Sequence, residues 1–185
     1  LKQFFAGKEI TSPIYEVDRP DVPLWCIWAI QQYAIKVGKE KCLKMYGSFL
    51  KEIIQFIESG KHPYMTVEKN GLLYVEGVRE EAMTWMNSTA NGHPVVPRTG
   101  YIVEFNALWY NALRVMSELA KCFDEENPYE ELAQKVAPSF VYEFWNEEKQ
   151  CLYDVVDNDL KDDSIRPNQI YAVSLPYTML PEDKA

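Results

Sequence analysis

The sequence predicts a mainly α protein of stacked helical hairpins. An apolar helix followed by an amphipathic one occurs twice over, Gly and Pro punctuate the boundaries, and only short β-prone runs interrupt the helices. With 185 residues, 47% hydrophobic and 14% aromatic, the chain can close one core, so a single domain over 1–185 is expected.

Residues 1–20 pass through Ser12-Pro13 and Arg19-Pro20 and read as an irregular leading segment. From Asp21-Val22-Pro23 the pattern is apolar almost all round until Gly38, which predicts a buried helix started by Asp21 and Pro23 and stopped by Gly38. Residues 39–59 put Leu43, Tyr46, Leu50, Ile53, Ile54 and Ile57 on one stripe, the signature of an amphipathic helix packed from outside. Asn70-Gly71 sits between β-prone runs and marks a hairpin between Tyr64 and Val75. Glu76 to Gly100 then reads as a long connection, of a length that compact domains keep mainly for function.

Residues 102–123 carry Phe105, Leu108, Ala112, Met116 and Leu119 on an apolar face about half the circumference wide, which predicts a central helix. Asn127-Pro128 starts a further helix to about Trp145, in which Pro138 is expected to introduce a bend or a break. Residues 151–156 read as a strand, 157–163 as an acidic loop, and 167–174 as the start of another helix. The two apolar helices should form an inner layer and the amphipathic pair an outer one.

A net charge of −9 and a pI near 4.8, with no compensating block of Lys and Arg, oppose binding to nucleic acid or anionic lipid. The apolar run Pro23 to Ile30 falls well short of the roughly 18 residues of a membrane span. Cys26, Cys42, Cys122 and Cys151 lie far apart and are expected as free thiols in a reducing cytoplasm. Without a CxxC, and with His62 and His93 both in loops, neither a metal site nor a cofactor is expected.

Polar residues gather at the helix ends. Asp21 precedes the first helix, Glu76, Arg79, Glu80, Trp85, Asn87 and Arg98 fill the long connection, and Glu104, Asn106 and Asn111 interrupt the central helix. Arg166, Asn168, Gln169 and Tyr171 open the last one. Converging, such ends make a pocket of carboxylates, amides and aromatic faces. Hydroxyls want planar bidentate partners and a sugar ring stacks its C–H face on an aromatic, so carbohydrate is the ligand class that fits. The competing reading is a solvent-exposed helix turn at Glu104 and Asn106, with the Arg–Glu pairs as surface ion pairs.

Four strings carry a family resemblance: Asp21-Val22-Pro23-Leu24-Trp25, Thr84-Trp85-Met86-Asn87, the run from His93-Pro94 through Arg98-Thr99-Gly100-Tyr101 and Glu104-Phe105-Asn106-Ala107-Leu108-Trp109-Tyr110-Asn111, and Arg166-Pro167-Asn168-Gln169-Ile170-Tyr171. In this order they resemble the amylo-α-1,6-glucosidase domain of glycogen debranching enzymes, over about residues 15 to 176. The resemblance implies an (α/α)6 toroid of the six-hairpin glycosidase type with short β-hairpins between helices. It implies inverting hydrolysis, by two carboxylates, of α-1,6-linked glucosyl branch points in glycogen and limit dextrin, without a cofactor. The chain shows only about five to six of the twelve helices, so it is expected to be the middle of that domain.

Carried over residue by residue, the resemblance puts Asp21, Trp25, Trp85, Arg98, Asn106, Trp109, Asn111, Arg166, Asn168, Gln169 and Tyr171 at substrate-binding positions. The family's general acid is the Asp that closes its Thr-Trp-Met-Asp motif, and this chain has Asn87 there. An amide cannot donate that proton, which leaves Glu104 or Glu81 as alternative acid and places the base beyond Ala185. The chain alone is expected to be inactive and to self-associate through exposed inner helices. The alternative is a non-catalytic carbohydrate-binding or scaffold module.

Overall fold

The computed structural model describes residues 20–77 and 82–185. The leading segment before Pro20, and Arg79, Glu80 and Glu81 in the long connection, lie outside the described residues.

Helix α1 (Val22–Val37) starts after Asp21 with Pro23 in its first turn, and ends at Gly38, whose N–H donates to Ala34 O at 3.0 Å. Gly38 alone joins it to α2 (Lys39–Glu58), so the two form a tight hairpin. Helix α2 is amphipathic as expected, burying Cys42, Leu43, Leu50, Ile53, Ile54 and Ile57. Helix α3 (Val103–Cys122) is the centre of the molecule, packed against α1, α2 and α4 (Pro128–Phe144), with 16 of its 20 residues buried.

Two helix expectations are corrected. The buried helix is α3, whereas α1 buries Pro23, Leu24, Cys26 and Ile27 in its first half and leaves Tyr33 and Ile35 45% and 65% exposed in its second. Apolar character does not secure burial without a neighbour to cover it. Helix α4 runs unbroken through Pro138, which is exposed. Its buried stripe of Ala133, Val136, Phe140 and Phe144 packs against α3 and the sheet with no break at the proline.

The strands also exceed expectation. Strands β1 (Met65–Val67), β2 (Leu73–Val75), β5 (Gly100–Ile102), β8 (Val155–Asp157) and β9 (Leu160–Asp162) form one antiparallel sheet in the order β1-β2-β5-β8-β9. A five-stranded sheet therefore replaces the isolated hairpins read from the sequence, and the acidic stretch 157–163 is a hairpin turn plus an edge strand rather than a loop. Segments of three residues carry no readable period, and their pairing partners lie far apart in the chain.

The Asn70-Gly71 turn joins β1 to β2 as read, with Asn70 Oδ1 accepting from Leu72 N at 3.0 Å. A second hairpin, β3 (Thr89–Ala90) with β4 (His93–Pro94), lies inside the long connection. Its two-residue turn is Asn91-Gly92, both at positive φ (53° and 83°), the conformation such tight turns require. Strands β6 (Trp145–Asn146) and β7 (Cys151–Leu152) pair separately. A 3₁₀ turn (Pro167–Ile170) then runs into the short α5 (Tyr171–Ser174), and a further 3₁₀ turn covers Glu182–Lys184.

The sheet sits at the N-terminal end of α3, because β5 leads straight into that helix. Gly100 has φ +98°, and a Cβ there would lie 2.6 Å from Val156 O, so only glycine lets β5 approach β8. Among the described residues no helix is long and apolar enough to cross a membrane.

Candidate functional site

Where the sheet meets α3, the long connection, the first turn of α3 and the 3₁₀ turn converge on Arg98. Its guanidinium is 2% exposed and bridges two carboxylates. Nε and Nη2 donate to Asp154 Oδ2 and Oδ1, each at 3.0 Å. Nη2 also donates to Glu104 Oε2 at 2.7 Å, and Nη1 pairs with Glu104 Oε1. Asp154 itself is clamped by its backbone, with N donating to Asp162 O at 2.8 Å and O accepting from Val103 N at 3.2 Å. Arg166 adds a second cation through Asp154 Oδ2 at 2.9 Å and Asp162 Oδ2 at 2.6 Å.

From this hub two links run out to Thr84-Trp85-Met86-Asn87. Asn168, fully buried, donates from Nδ2 to Asp154 Oδ1 at 2.8 Å and accepts from Trp85 Nε1 at 3.1 Å. Thr84 Oγ1 accepts from Met86 N at 3.1 Å and lies 3.5 Å from Arg98 Nη1. Asn87 N donates to Trp85 O at 2.9 Å, which closes a tight turn. Trp85 is 48% exposed and Asn87 is exposed, so the loop presents both at the surface above a buried polar base.

The electrostatics follow from burial against pairing. Burial pushes the Glu104 carboxyl above the usual carboxylate range, and the Arg98 fork pulls against it. Burial disfavours the charge of Arg98, but Glu104 and Asp154 outweigh it and hold its pKa above the ordinary value. Burial likewise opposes charge on Arg166 and Asp162, yet their mutual pairing raises the first and, with Ser164, lowers the second. Each member is stable only with its partners in place.

The aromatic part is contiguous with this base. Tyr171, one turn beyond Asn168, meets Trp25 edge to face at 5.1 Å, and Trp25 meets Trp28 at 5.8 Å. Trp25, Trp28 and Tyr171 are half-buried. Asp21 is buried at the start of α1. Gln169 turns to the backbone, accepting from Leu152 N at 3.2 Å.

Other sequence-derived site residues lie in the core. Asn106, fully buried, pairs with both backbone groups of Leu73, accepting from N at 2.7 Å and donating to O at 3.0 Å. Trp109, also fully buried, donates to Gly71 O at 3.1 Å. Asn111 exchanges amide hydrogen bonds of 2.9 and 3.2 Å with Gln31 on α1. Glu104 and Asn106 are therefore neither an exposed turn nor open to a ligand, and the Arg98–Glu104 pair is interior. Asp154 escaped the sequence reading, and Thr84 entered it as part of its motif without a role of its own. The signal for Asp154 was an acid inside the apolar run Tyr153-Asp154-Val155-Val156. Among the described residues no group of three or more His, Cys, Asp or Glu could hold a metal ion.

Comparison with curated proteins returns no match. A family model described as amylo-alpha-1,6-glucosidase matches residues 7–185. That span takes in the four sequence strings and the whole Arg98 hub on which three of them meet, and the chain belongs to the amylo-alpha-1,6-glucosidase family.

Proposed function

We propose that the chain is part of a glycogen-debranching α-1,6-glucosidase, an (α/α)6 toroid that hydrolyses glucosyl branch points of branched α-glucan in the cytoplasm, by inversion and without a cofactor. One observation carries this reading: the Trp85–Asn168 hydrogen bond ties the Thr84–Asn87 loop to the Arg166–Tyr171 segment over a common buried base. Trp85 and Asn87, with Trp25 and Tyr171 beyond them, are then the sugar-facing groups. Aromatic faces stack on the rings and the amide bonds their hydroxyls. Four free thiols agree with a reducing compartment.

Residues 1–185 alone bind branched glucan without releasing glucose. Asn87 has no acidic proton, and the carboxylates under its loop, Glu104 and Asp154, are buried and held by arginines. The same observation favours, as a second reading, a binding module that has lost catalysis. Self-association through the open half of α1 accords with the exposure of Tyr33 and Ile35.

Calorimetric titration with a singly branched glucosyl-α-1,6-maltooligosaccharide and its linear counterpart tests the assignment. Branch-dependent binding is expected, with no glucose released by the chain or by its Asn87→Asp variant. Absence of binding refutes the glucan assignment. Glucose released by the chain itself refutes the reading that it lacks a complete catalytic pair.

A further inference from the structure

We infer that Asp154, acting through Asn168, is a positioning residue for the sugar-binding loop at Trp85 and Asn87. The inference rests on the glucan-binding reading and assigns a role to a residue outside its motifs. A carboxylate can only accept hydrogen bonds and an indole N–H can only donate. Between them lies one fully buried amide, which donates to Asp154 at 2.8 Å and accepts from Trp85 at 3.1 Å. Asp154 thus fixes which way the Asn168 amide points, and that orientation decides whether Trp85 is held. A leucine or an aspartate of similar size at 168 could not serve both neighbours.

Asp154 is suited to act as the fixed point. Both of its backbone groups are bonded, to Asp162 and Val103, and its carboxylate is gripped by Arg98 and Arg166. Thr84, 1% exposed, gives the loop a second tether to the same base through Arg98 Nη1. Arg98 and Asn168, which the motifs placed among the substrate-binding groups, then act beneath the loop. Trp85 and Asn87 touch the sugar. A loop tethered at Thr84 and Trp85 keeps its stacking ring in one place, and the ordering cost of binding is met at folding.

The test uses the chain labelled with 5-fluorotryptophan, with the Trp85 ¹⁹F resonance assigned through Trp85→Phe and titrated with the branched oligosaccharide above. Asn168→Asp removes the donor to Asp154 and faces it with a like charge. The expected result is a displaced Trp85 resonance, an unmoved Trp109 resonance, cooperative thermal unfolding, and affinity weaker by about tenfold. Asp154→Asn changes the far partner of Asn168 and leaves the loop residues untouched. It should displace the same Trp85 resonance and weaken affinity in the same direction, the signature of an orientation passed through Asn168.

If Asn168→Asp does not fold, Thr84→Val cuts the other tether, and a smaller displacement of Trp85 with weakened binding is expected. Wild-type binding that survives Asn168→Asp, or Thr84→Val in its place, overturns the inference alone. Asp154→Asn that folds and leaves both the Trp85 resonance and the affinity unchanged also overturns it. A wild-type chain that does not bind the branched oligosaccharide removes the glucan-binding reading and the inference with it.

Discussion

The first turn of α3 and the second half of α1 reverse the usual relation between polarity and burial. Glu104 and Asn106 are fully buried, while Tyr33 and Ile35 stand 45% and 65% exposed. What separates the two regions is partners. Each polar group at the head of α3 meets its complement within 3.1 Å, whether Arg98 for the carboxylate or the Leu73 backbone for the amide. On α1, Ile35 borders a groove of about 250 Å³ lined also by Leu43, Leu50, Val115 and Tyr177. Burial in this molecule therefore follows from completed pairing and available cover more than from residue hydropathy.

The largest expected effect comes from breaking the pairing at the buried end. Glu104→Gln leaves Arg98 with one carboxylate in a dry site, and removing one partner of a buried ion pair typically costs about 3–5 kcal/mol. Denaturant titration should show that loss with little change in slope. A loss below about 1 kcal/mol, as for a surface pair, would mean that water reaches the hub and that its polar groups are not sealed.

His62 sharpens the comparison with a polar group that is buried neutral. It is 6% exposed, and Nδ1 accepts from Tyr64 N and Met65 N, each at 3.1 Å, at the start of β1. Burial pushes its pKa down to about 4. On acidification the unfolded chain takes up this proton first, near pH 6.5, so stability from this group is intact above that pH and is lost as pH falls toward 4. The total is on the order of 3 kcal/mol at 1.36 kcal/mol per pKa unit. His62→Asn keeps an acceptor for the two amides and removes the titration, so its stability should be flatter between those limits. An unchanged pH profile would assign the acid sensitivity to other groups.

Most of the helical frame was legible because α2, α3 and α4 are long enough to show a period. The first half of α1 was legible for the same reason, but its open half was not, since a sequence records apolarity and not what lies opposite. The sheet was hidden because strands of two or three residues pair across long stretches of chain, as Tyr101 does with Val156. The Thr84, Arg98 and Arg166 strings announced residues that do converge. Their motif residues could not show that Arg98 and Asn168 face inward, because that depends on Asp154, a single acid between two short strands.

A moderate effect is expected where the two regions touch. Gln31 on α1 and Asn111 on α3 exchange two amide hydrogen bonds, and Asn111 also lies 3.4 Å from Tyr177 N. Asn111→Leu fills similar volume but leaves the Gln31 amide without its partner. It should cost about 1–3 kcal/mol, the penalty for an orphaned part-buried group. Asn111→Leu with Gln31→Leu should recover most of that loss in a double-mutant cycle. No recovery would mean that the bond from Tyr177 N, and not the amide pair with Gln31, accounts for the contribution of Asn111.

The smallest effect on stability, and the sharpest test of the open face, is Ile35→Lys. A substitution at an exposed position away from caps and pairs changes stability by less than about 0.5 kcal/mol, so the melting temperature of dilute protein should hold. Association should respond instead, because a lysine on the rim of an apolar groove must be desolvated before a second copy can cover it. Light scattering across a concentration series should show the wild-type chain moving toward larger species and the variant remaining a monomer. If both stay monomeric, the apolar half of α1 is left bare by this chain and the contrast with α3 stands without self-association. If the variant instead loses several kcal/mol, Ile35 is buried in solution, and the distinction drawn between the two helices fails at its exposed end.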